Sequence, residues 1–224
     1  MAALAPALAP ELPDEWRARL RRALLTAPDH RPEHCRAAGL AQQSDTVLAQ
    51  LRERRPTALH AAAVLVPIID RRDTAALVMT VRASHLRRHA GQISFPGGRL
   101  EAGDADIAAA AIRETEEEIG IAPGCIEPLG FLSDHVVQTG YRVTPVVALV
   151  ASDAAMRPDG TEVAEVFELP LAVALAADSY SISRRSIRGV EVDTWELTFG
   201  RYHIWGATAG ILAHLRERFG AAGA

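Results

Sequence analysis

The sequence predicts an α/β protein in which a mixed β-sheet is sandwiched by helices and preceded by a helical extension. Three observations lead there. Apolar, β-rich runs such as VTPVVALV alternate with stretches of helical period. The most acidic of those stretches lies inside 97–121, between strand-like runs rather than at an end of the chain. No internal repeat or long linker divides the 224 residues, a length that suits one large domain or one domain with additions.

The chain opens with MAALAPALAP, which lacks a basic flank, is broken by Pro6 and Pro10, and does not read as a signal peptide. DEWRARLRRALL then predicts a helix with Trp16, Leu20 and Leu24 on one face, ending near Pro28. A basic amphipathic helix can lie on a membrane, but with so few large apolar residues this one is expected to pack on the body. Residues 28–43 read as loop. Ser44 or Asp45 caps a second helix, TVLAQLRER, closed by Pro56. The division expected is 1–57 as an N-terminal helical extension and 58–224 as the main domain.

In that domain 59–69 and 75–82 read as buried strands of a hairpin across the charged turn 70–73. A basic connection follows, with Arg82, Arg87, Arg88 and His89, and 92–95 is a short strand leading into Pro96-Gly97-Gly98. After the acidic helix, 126–132 and 141–151 are strands separated by a loop at 133–140. A short strand at 163–167 and a turn into a helix at 169–175 come next. Residues 179–190 are polar and basic, with Arg184, Arg185 and Arg188. The last strands are 192–199 and 202–204, and WGATAGILAHLRERF closes the chain as an amphipathic helix with Ile211, Leu212, Leu215 and Phe219 inward.

Composition bounds the partners. A net charge of −4, with 49% hydrophobic and 23% charged residues, gives no general attraction to nucleic acid or anionic membrane. Cys35 and Cys125 make neither a disulfide framework nor a metal-ligand spacing. The longest apolar run, 61–69, is interrupted by Pro67 and too short to span a bilayer. A reducing cytoplasm is the expected compartment.

The acidic helix carries the chemistry. Asp104 or Asp106 is its N-cap and Gly120 its C-cap. Ala108, Ile112, Thr115 and Ile119 share a packing stripe, whereas Glu114, Glu117 and Glu118 fall together on another. Like charges at those spacings repel by about 0.2–0.5 kcal/mol per pair, and the negative end of the helix dipole adds to the cost. A cation offsets it, and carboxylate oxygens suit hard divalent ions such as Mg²⁺ acting on phosphates. The alternative is a solvated acidic face. The glycine turn before the helix, and Arg113 four residues ahead of Glu117, weigh against it.

These residues resemble the Nudix box. Gly98-x5-Asp104-x8-Arg113-Glu114-Thr115-x-Glu117-Glu118-x-Gly120-Ile121 departs from the usual pattern in three ways. Asp104 stands for Glu, Thr115 for an apolar residue, and one extra residue precedes Arg113. Inside a helix that residue would turn one part against the other by about 100°, so it is expected to be absorbed at the loop-to-helix junction. The extra residue is a habit of the coenzyme A pyrophosphatase branch. That branch also has an upstream signature in whose register Thr80, Arg82, Ala83, Arg87, Gly91, Phe95, Pro96, Gly97 and Gly98 stand, with Val78-Met79 a looser start. The YHIWGAT run at 202–208 is similar to the branch's closing helix entry.

The resemblance implies a Nudix-type α/β/α sandwich and a Mg²⁺- or Mn²⁺-dependent pyrophosphohydrolase. Its substrate would be coenzyme A or an acyl derivative, split to 3′,5′-ADP and 4′-phosphopantetheine. It implies Glu114 and Glu118 as metal ligands, with Glu117 as a third or acting through water, and the Gly97 carbonyl as a further donor. Arg113 orients a box carboxylate. The general base is a box glutamate such as Glu117 or an acid on a later loop, where Asp159, Glu162 and Glu165 stand and Glu162 is preferred. Arg82 and Arg87 are candidates for the 3′-phosphate, with Arg184, Arg185 and Arg188 a weaker set and His89 read as structural. Gly98, in the catalytic turn, is a further substrate-binding candidate, and Phe95, Phe131 or Tyr141 offers a surface for adenine or pantetheine. ADP-ribose, a dinucleotide or a nucleoside triphosphate is the alternative substrate, and a non-catalytic nucleotide sensor the alternative class. A homodimer is compatible with the N-terminal helices.

Overall fold

Two long apolar strands frame the molecule because their sequences bury both faces. The computed structural model describes residues 12, 15–53, 58–71, 74–86 and 89–223. Expectations for the opening residues, for Pro56, for the turn residues Arg72 and Asp73, and for Arg87 and Arg88 lie outside them.

Helix α1 (Trp16–Ala23) turns Leu20 inward, and the following Leu24 joins it in the core, so the helix packs on the body. A two-residue strand β1 (Arg36–Ala37) and helix α2 (Asp45–Glu53) follow. Strands β2 (His60–Arg71) and β3 (Thr74–Arg82) form the expected antiparallel pair, with Ile68 opposite Leu77. Next come β4 (Ile93–Ser94), β5 (Gly97–Arg99) and helix α3 (Ile107–Ile119). Then β6 (Ile126–Phe131), β7 (His135–Val136), β8 (Tyr141–Val150), β9 (Val163–Pro170) and the short helix α4 (Leu171–Leu175) follow. Strands β10 (Tyr180–Ile187), β11 (Val190–Phe199) and β12 (Tyr202–Trp205) lead into helix α5 (Gly206–Ala221).

The main sheet runs β1-β7-β8-β2-β3-β4, with β5 on β2, β6 on β8 and β9 on β3. It is mixed, since β2–β8 and β1–β7 are parallel and the other pairs antiparallel. Helix α3 covers one face, where Ala63, Leu65 and Val146 meet Ala110 and Ala111. Helices α1 and α5 cover the other, where Leu20, Val66, Ile68, Leu212 and Leu215 pack together. This is the expected α/β/α sandwich.

The structure adds a second, three-stranded sheet, β10-β11-β12, to the single sheet foreseen. Residues 179–190, read only as polar and basic, supply its first strand. The alternation in YSISRRSI is there, but its serines and arginines conceal the period because half of the strand faces water. Strands β1, β5 and β7 fall in stretches read as loop or turn. At two or three residues each, they are too short to show any period.

The stretch after α1 is stitched across the sheets. Leu25 bridges Phe131, Arg36 pairs with His135, and Leu40 bridges Thr194. Gly39 makes this passage possible: φ is +78°, and a Cβ there would lie 2.6 Å from the Gly206 carbonyl carbon.

Candidate active site

Helix α3 begins where its sequence says it should. The Asp106 carboxylate accepts the Ala109 N–H at 2.8 Å as N-cap, and Gly120 closes the helix in the left-handed conformation at φ 70°. The helix is uninterrupted from Ile107 to Ile119, so the extra residue is taken up in the turn ahead of it. The packing stripe is rotated from the one expected. Ile107, Ala110, Ala111, Thr115 and Ile119 are buried, while Ala108 and Ile112 are only half-buried. That rotation carries Glu118 inward as well.

Arg113 organises the acidic residues. Its Nε and Nη2 donate to the two oxygens of Asp104 at 2.9 and 3.2 Å, a bidentate pair. Its Nη1 lies 3.1 Å from Glu114 and 3.2 Å from Glu117, and Nη2 also reaches the Arg99 carbonyl. The guanidinium beside Asp104 holds that carboxyl below the usual range, and the Arg113 pKa is raised in return. Arg113 therefore ties the turn 99–104 to Glu114 and Glu117.

Glycine packing fixes the other side. Gly98 faces Glu114 so closely that a Cβ would sit 2.2 Å from its Oε1. Gly97 donates its N–H to Glu118 Oε2 at 3.3 Å. Glu118 is only 8% exposed, and burial pushes its carboxyl up to about 7. The Gly97 N–H and Arg82 pull the other way, while Glu114 and Glu162 push it further up. Glu114 is raised too, by burial first, with Arg113 opposing.

A second loop closes on the same place. The Arg157 and Asp159 N–H groups bond the Ile119 and Glu118 carbonyls at 2.7 and 3.0 Å, satisfying the end of α3. Asp159 accepts from the N–H groups of Glu162 and Val163, which hold its carboxyl low against the burial that would raise it. The Glu162 carbonyl accepts the Ala83 N–H, and its carboxylate lies 3.3 Å from Arg82. Glu162, Arg82, Glu118 and Glu114 thus share one place. Glu165 does not: it pairs with Arg201 and Tyr202.

Other expected site residues are placed elsewhere. Phe95 is 3% exposed and packed in the core, so it anchors the glycine turn and offers no face to a ligand. Arg185 lies over Trp205 and pairs with Glu196, and Arg184 pairs with Asp193, both on the second sheet. His89 bonds Gln92, in keeping with a structural role. The Arg99 carbonyl and the Asp159 turn were missed as organisers. Asp159-Gly160 is a turn signal that marks the second.

The donors suit a hard dication: two carboxylates on one helix face, one of them buried with a single backbone N–H for company, packed against a glycine turn. Among the described residues no three His, Cys, Asp or Glu side chains already converge closely enough to hold an ion. Glu114 and Glu117 both lean to Arg113, and Glu117 is 59% exposed. Among the described residues no helix is long and apolar enough to cross a membrane.

The NUDIX domain family matches residues 59–189. An uncharacterized Nudix hydrolase NudL of Shigella flexneri serotype 5b is 43% identical over 167 residues, covering 75% of this chain and 86% of that one. A NudL from Escherichia coli O1:K1 is 44% identical over 159 residues, covering 71% and 82%. Among solved structures, the Nudix hydrolase RenU of M. smegmatis superposes with a TM-score of 0.44 at 21% identity, over 51% of this chain and 72% of RenU.

Proposed function

Since the chain belongs to the Nudix family, we propose that this hydrolase cleaves the pyrophosphate of coenzyme A or an acyl-coenzyme A, with Mg²⁺ or Mn²⁺ as its ion. Water attacks one phosphorus, the bridging P–O bond breaks, and the products are 3′,5′-ADP and 4′-phosphopantetheine or its acyl form. The observation that carries this reading is Arg82. Strand β3 and the upstream signature present it beside Glu162 and within the electrostatic reach of Glu118. That is where a pyrophosphate needs a cationic side chain.

Glu114 and Glu118 would hold the ion, with Glu117 joining after it parts from Arg113 and the Gly97 carbonyl as a further donor. The bound dication supplies Lewis-acid neutralisation of the pyrophosphate charge. Glu162 takes the proton of the attacking water. It stands 54% exposed at the mouth of the site, on a loop tied to the end of α3, and Arg82 keeps it in place until substrate competes for that arginine. Arg113 keeps Glu114 and Glu117 oriented without touching substrate. Arg87, the other signature arginine, lies outside the described residues.

Coenzyme A, ADP-ribose and a nucleoside triphosphate assayed side by side, with product identification, test the proposal. A far higher kcat/KM for ADP-ribose would overturn the substrate. Glu118→Gln is expected to abolish turnover of all three, and near-parental activity in that variant would sink the metal site.

A further inference from the structure

The face of the sheet beside α3 carries a second charged group. Gly98, whose open side faces Glu114, is paired with Ala63, and Ala63 is paired with Thr144. Partnered residues point to the same face of a sheet. Thr144 donates to Asp134 Oδ1 at 2.6 Å, and Asp134 is 0% exposed. A row therefore runs from helix α3 across Gly98, Ala63 and Thr144 to a fully buried carboxylate. Two strand spacings separate Gly98 from Thr144, about 10 Å.

A buried carboxylate needs compensation, and this one has more than one partner. His30 Nδ1 lies 2.7 Å from Oδ2, and Arg142 Nε lies 3.2 Å from the same oxygen. The Arg142 contact is an ion pair, not an aligned hydrogen bond. It involves only Nε. Both terminal nitrogens of Arg142 have no protein partner among the described residues, and the side chain is 30% exposed. Arg142 is opposite Ala61, two residues along β8 from Thr144, so it borders the same row on the same face. Its Cα lies about 12 Å from that of Gly98 by strand spacing and rise. An aliphatic floor of Ala61 and Ala63 lies between them.

We propose that Arg142, clamped at Nε by buried Asp134, is the anion receptor for a phosphate monoester on the nucleotide half of the substrate. This rests on the substrate reading above and deepens it. Arg82 serves the reacting phosphates, and Arg142 reads the phosphate one sugar away. A guanidinium held from behind presents its two free nitrogens as a fork, and the fork suits a dianionic phosphate better than a lysine ammonium does. Asp134 and Thr144 are positioning residues: they set the direction of the fork and touch no ligand.

The test compares 3′,5′-ADP with 5′-AMP in calorimetric binding, and coenzyme A with 3′-dephospho-coenzyme A in turnover. The parent is expected to prefer the 3′-phosphorylated member of each pair. Arg142→Ala should weaken 3′,5′-ADP binding and raise KM for coenzyme A by at least about tenfold, the loss of one charge-assisted fork, with kcat and the unphosphorylated ligands little changed. Arg142→Lys keeps a charge opposite Asp134, so it should melt like the parent and lose part of the preference. This variant decides the matter if Arg142→Ala does not fold. An undiminished preference in Arg142→Lys and Arg142→Ala, or equal losses for both members of each pair, would overturn the receptor. A parent that binds 3′,5′-ADP no better than AMP would overturn it too. A parent that does not hydrolyse coenzyme A would instead sink the substrate reading on which it rests.

Discussion

Gly98→Ala isolates a single contact. At position 98 the φ angle is one that any residue tolerates, so the added methyl meets no backbone strain. What it meets is Glu114, with Oε1 at 2.2 Å and Cδ at 2.3 Å from the new carbon. Ordinary contact between such atoms begins near 3.5 Å, so the carboxylate must withdraw by roughly 1 Å or more. Because the obstruction is the tip of a flexible side chain, stability should hold or rise slightly, by about 0.4–1 kcal/mol from the stiffer unfolded chain. Function should not hold, since a displacement of that size in catalytic geometry costs on the order of 10²-fold. The assay is kcat/KM for the preferred pyrophosphate substrate over a titration of Mg²⁺, alongside a melting curve. A folded variant within about threefold of the parent at all Mg²⁺ concentrations would refute the claim that Glu114 must rest against residue 98. Glu114→Gln combined with Gly98→Ala should add little to either change alone, because both act through one carboxylate.

Three further outcomes follow from the same structure. Arg113→Lys removes the fork that binds Asp104 and leaves one point charge for three carboxylates, so kcat should fall by about 10–100-fold with KM less affected, as steady-state kinetics will show. Phe95→Ala should cost about 3–5 kcal/mol in denaturant unfolding, as for other buried phenylalanines, with KM near the parent's in whatever remains folded. Nε2 of buried His135 lies 3.3 Å from Nδ1 of buried His214, and burial first, with Arg36 adding, lowers their pKa values to about 3 and about 2. Folded values below the unfolded one mean that their contribution is fully present above about pH 6.5 and is lost as pH falls from there toward 3, by up to about 3 kcal/mol per pH unit for the pair. Unfolding free energies at pH 7, 6 and 5 will show the slope, and His214→Leu should roughly halve it.

The parts of the fold that were legible in the sequence have enough length or special chemistry to leave a pattern. Strands β2, β3 and β8 are long and apolar, and α3 has a capping aspartate and a terminal glycine, so each appears within a residue or two of its expected bounds. The two-residue strands β1 and β7 owe their existence to each other and to β8, which no local pattern records. In the site, the carboxylates of α3 and the glycine turn were legible because they sit close together in one stretch. Phe95 was misplaced because an aromatic next to a glycine turn reads alike whether it faces ligand or core. Arg142, the proposed anion receptor, left no sign in the sequence. Its partner Asp134 lies in the connection between β6 and β7, and its relation to Gly98 exists only through the pairing of β5, β2 and β8.

The stitched passage after α1 has a consequence for the order in which the chain is made. Leu25, Arg36 and Leu40 are synthesised early, but their partners Phe131, His135 and Thr194 emerge much later, and Gly39 must wait for Gly206 and Gly210 before it is enclosed. Such distant pairings close slowly because a long loop must be ordered first. A ribosome carrying the first half of this protein therefore presents a segment whose docking surface does not yet exist. A version begun at residue 58 would finish synthesis with an unpaired edge along β7 and an open seam beside β11, the kind of surface through which unfinished sheets find the wrong neighbour.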